Sequence, residues 1–178
     1  MPVEGRSSAG GGTVACKNVL TPDENPYTLG GMSKRGARST DLGSLAALDV
    51  VCFGRRAWSR QAWWEVLGSR EWRTVVMTHG GAIVAASVLV LTHPVSVLAS
   101  LAVAPTYRRH GLGKRLLVDA INHAERSRAA WLSLEVDRSN EPARRLYRRE
   151  GFGILRRFYE DGMGRLELVR RLGGRHGR

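Results

Sequence analysis

A chain of 178 residues is long enough to bury one domain's core. Its 43% hydrophobic and 25% charged residues exclude a disordered or collagen-like polypeptide. Lys plus Arg number 28 and Asp plus Glu 16, a formal net charge of +12, which either attracts an anionic partner or only keeps a basic surface solvated.

Two cysteines, Cys16 and Cys52, are too few for a disulfide framework or a thiolate metal site, so the chain reads as a reducing, cytoplasmic protein. The histidines show no metal-ligand spacing, and no metal is expected. The longest apolar run, Ala82 to Leu91, falls short of the roughly 20 residues that cross a bilayer. The opening residues lack a secretory pattern.

Residues 1–36, rich in Gly, Ser and Pro, read as a disordered tail, with Met32 a candidate translation start. A domain is expected over 37–172, and a flexible Gly- and Arg-rich tail over 173–178. Thr40 or Asp41 caps a first helix with Leu42, Leu45, Ala46 and Val50 on one face. Ser59 opens a second, with Trp63, Trp64, Val66 and Leu67 as its apolar side chains. Thr74 to Met77 and Ile83 to Leu91 read as strands joined by a His79-Gly80-Gly81 turn. After Pro94, Val95 to Val103 is a third strand.

A long helix follows Gly113, its apolar face formed by Leu116, Leu117, Ala120, Ile121 and Ala124. Trp131 to Val136 has the pattern of a buried strand. Asn140 sits where an N-cap belongs, Pro142 suits the first turn, and Gly151 ends that helix. Phe152 to Tyr159 and Leu166 to Val169 close a hairpin around Asp161-Gly162. The order implies an α/β fold with a mixed sheet and no internal repeats.

The richest stretch is Val103-Ala104-Pro105-Thr106-Tyr107-Arg108-Arg109-His110-Gly111-Leu112-Gly113-Lys114. A strand ends, glycines and basic residues follow, and an amphipathic helix begins. A helix N-terminus offers unpaired N–H groups and partial positive charge, and glycine lets backbone approach an anion closely. Arg108, Arg109 and Lys114 would add full charges. The spacing is neither a Walker loop nor a dinucleotide fingerprint. A plain strand-to-helix turn is the alternative.

Arg108-x-x-Gly111-x-Gly113 after a strand resembles the acetyl-CoA signature of the GNAT N-acetyltransferases. Leu134-Glu135-Val136-Asp137-Arg138-Ser139-Asn140 and Ala143-x-x-Leu146-Tyr147-x-x-x-Gly151-Phe152 resemble its bacterial RimI-type subgroup, which acetylates the N-terminal alanine of a ribosomal protein. So do Asp41-Leu42 and Leu48-Asp49-x-x-Cys52-Phe53-x-x-x-x-Trp58-Ser59. The likeness spans about residues 39 to 171. It implies a GNAT fold, a mostly antiparallel sheet flanked by helices, with acetyl-CoA as cosubstrate and direct transfer in a ternary complex.

The resemblance assigns the cofactor diphosphate to the loop of Arg108, Arg109, His110, Gly111, Leu112, Gly113 and Lys114. It implies that Leu101, Ala102 and Val103 offer backbone groups to the pantetheine arm and thioester oxygen. Asn140 is then both N-cap and cofactor contact. Glu135 takes the general-base position; by composition alone it could equally be an edge-facing or salt-bridged glutamate. Tyr147 is the expected acid for the departing sulfur, although a tyrosine on an apolar helix face is ordinarily core. Asp49, where the subgroup commonly has glutamate, and Tyr159, the one tyrosine left of an Arg-Arg-x-Tyr-Tyr segment, are candidate substrate contacts.

The chemistry favours an α-amine. Its pKa near 7.7–8.0 lies about 2.5 units below lysine's, so deprotonating it at neutral pH costs roughly 3.4 kcal/mol less. One carboxylate acting through water then suffices. The expected partner is a protein N-terminus, with ribosomal protein the subgroup's example and no membrane. A small amine (polyamine, antibiotic or amino acid) is the alternative acceptor. A nucleic-acid-binding module is the other class permitted by the charge, since twelve arginines face five acids from Arg138 onward.

Overall fold

The computed structural model describes residues 31–173. The expectations for residues 1–30 and 174–178 lie outside the described residues. Seven strands, β1 (Ser33–Gly36), β2 (Trp72–His79), β3 (Ala82–Val90), β4 (Val95–Val103), β5 (Trp131–Asp137), β6 (Gly153–Glu160) and β7 (Met163–Arg171), form one sheet in the order β1-β2-β3-β4-β5-β7-β6. Every neighbouring pair is antiparallel except β4 and β5, which run parallel. Four helices cover it: α1 (Leu42–Phe53), α2 (Arg60–Gly68), α3 (Leu112–Arg126) and α4 (Glu141–Arg149). This is the mixed, mostly antiparallel α/β architecture expected.

Two hairpins close on two-residue turns. Gly80 and Gly81 have φ of 55° and 83°, and Asp161 and Gly162 have 50° and 75°. Two successive positive φ angles match the right-handed twist of the flanking strands. α1 and α2 pack Leu45, Leu48, Trp63 and Val66 on Val76, Ala86, Val88 and Ala102, on one face of the sheet. α3 and α4 lie on the other. There Leu117, Ile121 and Tyr147 meet Leu132, Leu134, Val136, Leu166 and Leu168. Each fully buried leucine contributes about 1.5–3 kcal/mol.

Three expectations are corrected. Ser33–Gly36 is not tail but an edge strand, paired with Val75–Thr78; its SKRG sequence carries no alternation, and only β2 makes it a strand. Val50 is 57% exposed, because α1's inward stripe runs through Leu42, Leu45 and Leu48–Asp49. Trp64 is 61% exposed: Trp63 and Val66 face the sheet, and the next residue of a helix turns about 100° away.

The pairing of β4 with β5 is short. It joins Val95–Leu98 to Trp131–Leu134 and then stops, although β4 runs on to Val103 and β5 to Asp137. On its other side β4 stays paired to β3 through Val103, with a register shift between Val88 and Leu89. The sheet therefore splits. Ala99–Val103 and Glu135–Asp137 flank an opening in which β4 keeps backbone groups with no strand partner.

Candidate active site

One end of this opening is the turn from β4 into α3. A short 3-10 turn, Pro105–Tyr107, leads into Arg108. Tyr107 is buried, and its hydroxyl lies 3.1 Å from His79 Nδ1 at the end of β2, which anchors the turn. Arg109 and Gly111 both take positive φ, 67° and 78°. Glycine adopts that geometry freely, whereas Arg109 is strained there. Gly111 is the N-cap of α3, and no side chain caps that helix. α2 and α4 differ: Ser59 Oγ accepts the Ala62 N–H at 3.1 Å, and Asn140 Oδ1 accepts the Ala143 N–H at 3.2 Å. The first-turn N–H groups of α3 thus stay available, at the positive end of a 15-residue helix.

Gly113 lies against β4 and α4, where an added Cβ would meet Leu146 at 3.5 Å and Leu101 and Val103 at 3.8 Å. The basic side chains do less than expected. Arg108 turns back, and its Nε donates to the Val103 carbonyl at 3.0 Å. Lys114 Nζ is 3.4 Å from Glu150. Cys52 Sγ also approaches the Val103 carbonyl, at 3.4 Å; burial pushes its thiol pKa up, with the Arg108 guanidinium opposing. The anion site is therefore mostly backbone, and it fits a diphosphate: bare N–H groups, a cradle of positive-φ residues, and a split sheet leading away.

The two residues expected to move protons sit on opposite faces. Leu134 and Val136 point into the α3–α4 core. Alternation therefore sends Glu135 and Asp137 to the α1–α2 face. The Glu135 side chain is 43% exposed, and its Oε2 accepts from Arg165 Nη2 at 3.1 Å. It is thus a salt-bridged, partly exposed glutamate, an arrangement its composition allowed. Tyr147 stands on the other face, buried, with its ring centroid 5.9 Å from that of Phe152. Burial alone pushes its phenol to about 12, so the group stays protonated at neutral pH. Side chains from the two faces can approach one reactant only where β4 and β5 have parted.

Asp49 is 2% exposed, on the inner side of α1. Its carboxylate accepts the Trp58 N–H at 2.6 Å, which ties the turn between α1 and α2 to the helix beneath it. Burial raises its pKa, against the Trp58 hydrogen bond and the Trp63 indole, which lower it. Tyr159 is exposed on β6, opposite Gly164 of β7. Alternation from Phe158, which pairs with Arg165 and so shares the Asp137 face, turns Tyr159 to the opposite face of the sheet.

An arrangement that sequence reasoning missed lies between these groups. Arg56, in the turn after α1, grips Asp137 with both terminal nitrogens. Arg165 of β7 contacts Glu135 at 3.1 Å, Glu160 at 3.5 Å and Asp137 at 3.6 Å. Arg156 holds Glu167 at 2.9 Å. One sign was present: Arg165 and Glu167 alternate with Leu166 and Leu168 as Glu135 and Asp137 do with Leu134 and Val136. Their pairing needs the β5–β7 register. Among the described residues no group of three or more His, Cys, Asp or Glu could hold a metal, and no helix is long and apolar enough to cross a membrane.

The split sheet and the uncapped turn agree with the acyl-CoA-dependent transferase class that the sequence resemblance implies. The model of the acetyltransferase (GNAT) family matches residues 44–152, and the chain belongs to that family. It is an acetyl-CoA-dependent N-acetyltransferase. It is similar to the ribosomal protein bS18-alanine N-acetyltransferase of Escherichia coli K12, with 32% identity over 115 residues, 63% of this chain and 77% of that protein. A crystal structure of the E. coli ribosomal-protein-S18-alanine N-acetyltransferase aligns with a TM-score of 0.73 at 22% identity, over 83% of this chain and 99% of that one. Two more share the fold. Nourseothricin acetyltransferase has a TM-score of 0.65 at 21% identity, over 80% and 99% of the two chains. The PaiA N-acetyltransferase of Thermoplasma acidophilum, in complex with coenzyme A, has 0.69 at 14%, over 79% and 98%.

Proposed function

We propose that this enzyme transfers acetyl from acetyl-CoA to the free α-amine of a protein N-terminus, with an alanine of a ribosomal protein the leading acceptor, by direct attack in a ternary complex. The opening between β4 and β5 carries this reading, with a carboxylate on one face and a buried, protonated phenol on the other. The likeness to the E. coli bS18-alanine enzyme supports the choice of acceptor. The cytoplasm, where ribosomal proteins are made, is the matching compartment.

Acetyl-CoA supplies an activated thioester carbonyl. Backbone N–H groups of Arg109, His110, Gly111, Leu112, Gly113 and Lys114 would hold its diphosphate, with Arg108 bracing the loop against Val103. Leu101, Ala102 and Val103 would run beside the pantetheine arm, and Asn140 would meet it at the start of α4. Glu135 would take the proton lost by the attacking amine, directly or through one water. Tyr147 would give its phenolic proton to the departing sulfur and recover one from solvent. Asp49, by fixing the turn above it, and Tyr159, from the hairpin, would shape the acceptor's seat. No metal is required.

The test is a set of peptides differing in the first residue, incubated with the enzyme and acetyl-CoA while release of the CoA thiol is followed. Turnover on free α-amines, and none on N-blocked peptides bearing lysine, is expected. Turnover only on polyamines, aminoglycosides or amino acids would replace the acceptor. RNA binding without affinity for CoA would overturn the enzymatic reading.

A further inference from the structure

Glu135 faces an electrostatic difficulty that the strand register creates. Its direct partner on β7 is Glu167, and two carboxylates opposite one another on a sheet repel. The sheet resolves this with two arginines that draw them apart. Arg156 of β6 takes Glu167, and Arg165, the register partner of Asp137, takes Glu135. Glu135 is thereby drawn toward the C-terminal end of β5, where β4 has already separated. We infer that Arg165 is the positioning residue for Glu135, holding the proton-accepting carboxylate at the mouth of the opening. This rests on Glu135 being the base.

The two partners are unequal. Arg165's side chain is 15% exposed against 43% for Glu135, so the guanidinium is the fixed member. Only Oε2 of Glu135 accepts from Arg165, so Oε1 takes no hydrogen bond from that guanidinium. The arginine is itself held: Asp137 and Glu160 contact its Nη1, and Asp137 is clasped by Arg56 from the α1–α2 turn. Lysine, a single point charge, could not bridge carboxylates from β5 and β6 in this way. Fold stability does not account for the arrangement. Arg165 Nε is buried without a hydrogen-bond partner among the described residues, which costs stability, and an ion pair with a half-exposed carboxylate contributes little in return.

A double-mutant cycle tests the inference. Single-turnover acetyl transfer would be followed for the wild type, Glu135→Gln, Arg165→Gln and the double variant, with CoA affinity and thermal melts measured on each. Arg165→Gln is expected to slow transfer on the order of tenfold or more with CoA affinity retained, and to have almost no effect where Glu135 is already Gln. Arg165→Lys, which keeps the charge should the glutamine variant fold poorly, is expected to lose rate less, and again only when Glu135 is present. Equal losses in both backgrounds, or no loss in either, would overturn the positioning role and leave the base reading standing. Full activity in Glu135→Gln would remove the base, and this inference with it.

Discussion

The two ends of the cleft, proposed above to take the cofactor and the acceptor, are built from different materials. At the start of α3 the working groups are backbone: N–H groups no side chain caps, shaped by positive φ at Arg109 and Gly111. At the end of β5 they are long side chains, with Arg56, Arg165 and Arg156 set against Glu135, Asp137, Glu160 and Glu167. A backbone cradle is held by the fold and tolerates changes at its surface charges. A charged mouth depends on each side chain, and substitution re-tunes it.

The largest expected effects break the acceptor end and the phenol opposite it. Glu135→Gln and Tyr147→Phe should each lower kcat on the order of a hundredfold, with CoA binding by calorimetry and the thermal melt little changed. Retained rate in both would end the proton-transfer roles. Gly111→Val should act instead on the cofactor end. A side chain in the left-handed region costs about 1–2 kcal/mol, more when β-branched, so KM for acetyl-CoA should rise about tenfold while KM for the peptide holds.

Asp49→Asn sharpens the comparison through pH. Burial raises this carboxyl's pKa in the fold, so its contribution to stability is present below its unfolded pKa and is lost as pH rises through the folded value. The asparagine keeps an oxygen for the Trp58 N–H and loses the buried charge. Its Tm should equal or exceed wild type by a few degrees at about pH 8, with that advantage gone below about pH 4. Asp137 has the opposite sign. The Arg56 hydrogen bond and charge lower its pKa, so its stabilisation is present above the unfolded value and is lost as pH falls through the folded one. Arg56→Gln should therefore flatten the acid limb of stability below about pH 4. At neutral pH it should cost only about 0.2–1 kcal/mol, because the pair is partly exposed.

Much of the fold was readable along the chain. β4 falls on Val95–Val103 as expected, Ser59 and Asn140 cap their helices, and Gly80-Gly81 and Asp161-Gly162 make the turns. These are local decisions, set by period, cap and turn chemistry within a few residues. Where the expectation failed, the deciding partner was distant. β1 exists because β2 offers it hydrogen bonds, and Val50 and Trp64 are exposed because helix rotation against the sheet, rather than apolar character, selects the buried face.

The same boundary runs through the site. Sequence by itself determined the strand-to-helix turn at Arg108–Lys114, proposed above as the diphosphate site, since glycine placement and helix start are properties of adjacent residues. It also singled out Glu135 and Tyr147, but not that they stand on opposite faces of a split sheet. Only the tertiary structure decided that split and the pairing of Arg165 with Glu135, with Arg56 brought onto Asp137. Those contacts join residues 30 to 81 positions apart, and strand register, which local composition does not encode, determines which charges meet.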